Sequence, residues 1–115
     1  GKKMNSIALH NKAHTEGMEA GLRIQPKAMV VSGMGQEWIV PEGPCGFAWI
    51  IVSGNTKFAR DLTKEGIGSK GYPSGVHIRV HAFNQSLERK VAYAKAYAQV
   101  LNENGVKASW GERLD

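Results

Sequence analysis

This chain has one cysteine, no long apolar run and no block of like charge, and each absence removes a class of protein. A lone Cys45 cannot close an internal disulfide, so the fold must hold without covalent staples, and a reducing compartment is expected. The longest apolar run, Phe47 to Val52, falls far short of the roughly 18 residues of a membrane-spanning helix. No basic segment leading into an apolar stretch opens the chain, so no secretory signal is expected, and Gly1 before Lys2-Lys3-Met4 reads as a protease scar. Positive charges are scattered rather than gathered into a tail, and there is no internal repeat or low-complexity tract.

What is present is the composition of one globular domain over residues 1–115. Apolar residues make up 42% and charged residues 22%, and a chain this long buries roughly two-thirds of its unfolded surface. Fifteen Lys and Arg against ten Asp and Glu give a net charge of +5, which favours anionic partners through long-range attraction.

The apolar spacing predicts an α+β fold: a mixed or antiparallel sheet of about five strands with two or three helices packed on it. Leu87, Val91, Ala94, Ala98 and Leu101 recur at four- and three-residue intervals, so they share one helical face, with Arg89, Lys90 and Lys95 on others. Ser86 caps this helix, and Gly105 stands where a left-handed stop belongs. A second helix is expected over about 56–65 and a third over 6–22. In the latter, Gly17 and Gly21 each cost about 1 kcal/mol and so require a close packing partner. Residues 28–32 and 37–40 read as a hairpin around Gly33-Met34-Gly35-Gln36, and Pro41-Glu42-Gly43-Pro44 as a turn. Phe47–Val52 reads as a central strand covered on both faces, 76–83 as an alternating strand, and 106–110 as a closing strand.

From Glu42 onward the chain resembles a group of small proteins encoded by tailed bacteriophages. The likeness rests on Glu42-Gly43-Pro44-Cys45-Gly46-Phe47-Ala48-Trp49, on Gln85-Ser86 followed by Lys90 and Ala92-Tyr93-Ala94, and on the ending Arg113-Leu114-Asp115. It implies a viral gene product acting in the bacterial host cytoplasm or in a virion, and assigns no activity to any residue.

Several residues invite a chemical role. His77, Arg79 and His81 alternate along one strand face, about 7 Å apart, and offer one permanent and two titratable cations to phosphate or carboxylate, with Phe83 continuing the row as a base-stacking ring. The plain alternative is a solvated strand face. Gly66-Ile67-Gly68-Ser69-Lys70-Gly71 has the letters of a dinucleotide-binding turn but follows a helix and precedes a strand, the reverse of what that mechanism needs. It reads instead as a mobile connector whose Lys70 can reach a phosphate. Cys45 with His77 or His81 as base has the residue types of a cysteine hydrolase. An apolar strand after Gly46 argues for a buried, inert thiol. His10 and His14 stand one helical turn apart, without the adjacent glutamate of a zinc protease and too few for a structural metal site, so two solvated histidines are expected and no metal. Tyr93 and Tyr97, also four apart, suit core packing or an oligomer contact. No cofactor is expected. The residues and the resemblance together suggest a non-enzymatic phage-type accessory or structural protein whose partner is another protein or its own copies, with nucleic-acid binding and then a small cysteine hydrolase as the alternatives, and no membrane.

Overall fold

The computed structural model describes residues 4–25, 29–33, 35–40, 44–84 and 86–115, with side chains of the 29–40 hairpin described only at Gly35 and Glu37. Its main body is a four-stranded antiparallel sheet with helices packed against it, an α+β domain. The elements are α1 (Ser6–Arg23), β1 (Met29–Gly33), β2 (Gln36–Val40), β3 (Gly46–Val52), α2 (Lys57–Lys64), β4 (Ser69–Lys70), β5 (Val76–Arg79), α3 (Leu87–Glu103) and β6 (Ala108–Leu114). No helix among the described residues is long and apolar enough to cross a membrane.

The sheet order is β4-β5-β3-β6, one strand fewer than the sequence suggests. β1 and β2 form a separate two-stranded sheet, paired up to Gly33↔Gln36, which leaves a two-residue connection rather than four, with Gly35 at φ 76°. The proposed turn at 41–43 lies outside the described residues. In compensation, Ser69–Lys70 pairs with β5 as an edge strand, so part of the presumed mobile connector is structured. β5 stops at Arg79 because the chain turns at Phe83 and Asn84, both left-handed (φ 67° and 48°), and this turn lays Phe83 against Gly21 of α1.

Capping follows side-chain chemistry. Asn5 caps α1 by accepting from the Ala8 amide at 2.8 Å, while the hydroxyl of Ser6 donates to Asp61 at 2.6 Å and ties α1 to α2. Thr56 caps α2 and Ser86 caps α3, and Gly105 at φ 81° follows α3.

The core joins Ala48, Ile50 and Val52 of β3 and Ile78 of β5 to Phe58, Ala59 and Leu62 of α2 and to α3. The buried face of α3 is wider than the stripe read from spacing. Val91 is only half-buried, whereas Lys90, Tyr93 and Tyr97 are buried beside Ala94, Ala98 and Leu101. The cause is that α3 packs on two partners, against β3 and β6 on one side and along α1 on the other. The α1 glycines make that second contact possible. A β-carbon at Gly17 would lie 2.7 Å from Tyr93 Cδ2 and 2.9 Å from Cγ.

The close approach at Gly17 sets a prediction. Alanine gains about 1 kcal/mol in helix propensity, but overpacking costs about 1–3 kcal/mol. Gly17→Ala is therefore expected to destabilise by about 1 kcal/mol in urea denaturation, while Gly54→Ala, with open space around it, shifts stability by less than about 0.5 kcal/mol. Equal effects would mean that α1 does not seat Tyr93 on Gly17.

Candidate functional site

Burial along β3 alternates at every position, with Gly46, Ala48, Ile50 and Val52 inward and Phe47, Trp49 and Ile51 only half-buried on the other face. β3 is central, as expected, but the helices cover one side of it, so the expectation of two covered faces is corrected. The pairing registers place His77 opposite Ile51 and Arg79 opposite Trp49 on β5, and Arg113 opposite Phe47 and Gly111 opposite Trp49 on β6. Residues directly opposite share a face. Trp49 lies across Gly111, where a β-carbon would meet the indole at 2.7 Å, and stacks on His77 with ring centroids 6.1 Å apart.

Phe47 is the centre of a cationic cluster. The Arg113 guanidinium lies 5.3 Å from its ring centroid, the Lys90 ammonium 5.5 Å and the Arg79 guanidinium 5.8 Å. Lys90 is buried at 5% exposure and donates to the Gly46 carbonyl at 3.3 Å, so it belongs to this cluster rather than to the solvated face of α3. A shallow groove runs over this face, lined at its β4 end by Lys70 and by Tyr72, which is 91% exposed. The ion pairs Glu19–Arg23 and Asp61–Lys57 involve none of the cations that line the groove, Lys70, Arg79 and Arg113, while Lys90 lies buried behind Phe47.

The expected row of His77, Arg79, His81 and Phe83 is therefore divided. His77, Arg79 and Lys70 line the groove. Phe83 is spent on Gly21, and His81, beyond the end of β5, lines a different cleft with His10 and His14. Cys45 is exposed, not buried, because β3 begins only at Gly46 and Cys45 makes a single bridge to Ser86. His77 pairs with Ile51, six positions further along, about 20 Å away at strand rise. That separation removes His77 as a base for the thiol. His10 and His14 are not freely solvated either. His10 Nδ1 is 2.7 Å from the Tyr97 hydroxyl and His14 Nδ1 2.6 Å from that of Tyr93. Burial pushes the Tyr93 hydroxyl up to about 12, and Tyr97 higher still, so both stay protonated. Burial, and then the neighbouring His14, holds His10 below the usual imidazole range. No group of three or more metal-ligating side chains forms among the described residues.

Phe47, Trp49, Tyr72, Lys90 and Arg113 were not singled out as groove residues from the sequence. One signal was available: the two aromatics of the apolar run share a parity, with the smaller Ala48 and Ile50 on the other. Residues 44–47, 86–90 and 113–115 also meet here. The Asp115 amide donates to Cys45 O at 3.1 Å and the Leu87 amide to Pro44 O at 3.1 Å, while Lys90 and Arg113 flank Phe47. No protein-family model, no curated protein and no solved structure matches the chain.

Two outcomes are expected. An exposed Cys45 should react with a thiol reagent in the native protein within about threefold of the rate in urea; strong protection would restore the buried reading. His10, with its folded pKa depressed, binds its proton more readily when unfolded. Its contribution is therefore complete above the unfolded value of 6.5 and declines as pH falls through it. Stability should fall on acidification from about pH 7 to 5, and His10→Gln should flatten that fall; an unchanged slope would remove His10 from the titration.

Proposed function

We propose that this protein binds single-stranded nucleic acid across the open face of its sheet. The observation that carries this reading is the set of cations, Lys70, Arg79 and Arg113, that lines the groove beside exposed or half-buried aromatic rings with no carboxylate in the lining. Like charges held together without counter-ions cost stability, and a polyanion removes that cost by releasing its own counter-ions on binding. The rings add what phosphate contacts cannot. Phe47, Trp49 and Tyr72 offer faces to unstacked bases, and guanidinium planes such as those of Arg79 and Arg113 stack in the same way. A duplex hides those base faces, so a single strand suits this surface better. A protein partner would need carboxylates matched to each cation. In the phage setting implied by the resemblance, the strand would be viral or host nucleic acid, bound without chemistry on it.

Fluorescence anisotropy with a labelled oligothymidine tests the reading. Phe47→Ala should weaken binding by about 5- to 100-fold, the worth of one stacked base. Arg113→Ala should make the logarithmic salt slope shallower by about 0.7. Lys12→Ala, exposed on α1, should change neither. Absence of binding at about 50 mM salt and micromolar protein, or equal losses from Lys12→Ala and Arg113→Ala, would overturn the proposal.

A further inference from the structure

The second cleft has a chemistry of its own, separate from the sheet face. It is lined by His10 and His14 from α1, Tyr93 from α3, Gly66 and Ile67 after α2, and Ile78, Arg79, His81 and Ala82 at the end of β5. Three imidazoles thus line the cleft together with apolar side chains, and no carboxylate lines it. From α1 the titratable groups facing it are His10 and His14, from α3 Tyr93 with Tyr97 behind it, and from the β5 end His81 and Arg79. The Arg79 guanidinium itself leans toward Phe47.

We infer that this cleft is a phosphoryl-binding site, taking the terminal group of a phosphate monoester or free phosphate on the Nε2–H groups of His10 and His14, with His81 as a third donor. Each Nδ1 of the α1 pair is held by a tyrosine hydroxyl, which leaves Nε2 as the ring nitrogen still available. A hydroxyl can accept a hydrogen bond from the Nδ1–H of an imidazolium, so the charged ring is supported from behind while it donates forward. Since Tyr93 and Tyr97 stay protonated, neither supplies a negative charge that would neutralise the pair from within. The two rings stack with centroids 6.0 Å apart, so protonating both sets like charges side by side. A dianion between them relieves that repulsion, and binding must therefore take up protons. A metal ion is the poorer occupant, because no group of three or more side chains placed to hold a metal forms among the described residues.

Histidine Cε1–H resonances followed by NMR during titration with inorganic phosphate test the inference. At about pH 6 the His10 and His14 signals should move saturably, and affinity should fall about tenfold or more by pH 8, since donation to a dianion weakens as imidazolium character is lost across that range. His14→Gln should weaken binding by about tenfold, the worth of a hydrogen bond to a charged group. His81→Ala, at an exposed position, should weaken it without altering the thermal melt. Arg113→Ala should leave phosphate affinity unchanged, so this site and the sheet face stand or fall separately. Tighter binding of adenosine monophosphate than of inorganic phosphate would assign the group to a nucleotide, and equal binding to the free ion; both support the site. No shift with phosphate at pH 6, the same shift with chloride at equal ionic strength, or undiminished affinity at pH 8 would overturn it.

Discussion

One-sided burial of β3 is the constraint from which the rest of this molecule follows. The helices present enough apolar surface to cover one face of the sheet, and α3, with Ala94 and Ala98 against it, seals that face closely. The other face must then be finished with side chains alone. It is finished with aromatics capped by cations: Trp49 spread over Gly111 and against His77, and Phe47 ringed by Arg79, Lys90 and Arg113. Each cation over a ring contributes roughly 0.5–1 kcal/mol when exposed, too little to explain gathering several like charges.

The helical layer depends on the same economy of space. Glycines in α1 cost helix propensity, and the return is the approach of Tyr93 to Gly17 and of Phe83 to Gly21. That approach brings the tyrosine hydroxyls of α3 within reach of the α1 histidines, so two polar groups that burial would otherwise penalise satisfy each other. The result orients two imidazoles toward one cleft. Packing and the chemistry of that cleft are here a single arrangement.

Both regions are cationic or can become so, and they adjoin at Arg79, which borders the cleft while its guanidinium lies over Phe47. The sheet face carries permanent charge and is governed by ionic strength. The histidine cleft carries conditional charge and is governed by pH. A ligand that spans both would be sensitive to each separately.

Much of the fold was legible in the residues. Helix positions, the Ser86 cap, the centrality of 47–52 and the need for packing partners at Gly17 and Gly21 all follow from local periodicity and propensity, which depend on near neighbours. The coverage of β3 was not, because an all-apolar strand reads the same whether its second face meets a helix or a layer of its own aromatics. Cys45 looked buried for the same reason, its exposure depending on where the strand begins. Lys90 looked solvated because helical spacing records one face, while α3 has two partners. The union of Phe47 with Arg79, Lys90 and Arg113, and of His10 and His14 with Tyr97, Tyr93 and His81, joins residues far apart in the chain. Sequence determined which chemical groups this protein owns and which local elements carry them; only strand register and helix docking decided which groups share a surface, since those depend on long-range pairings that no local pattern encodes.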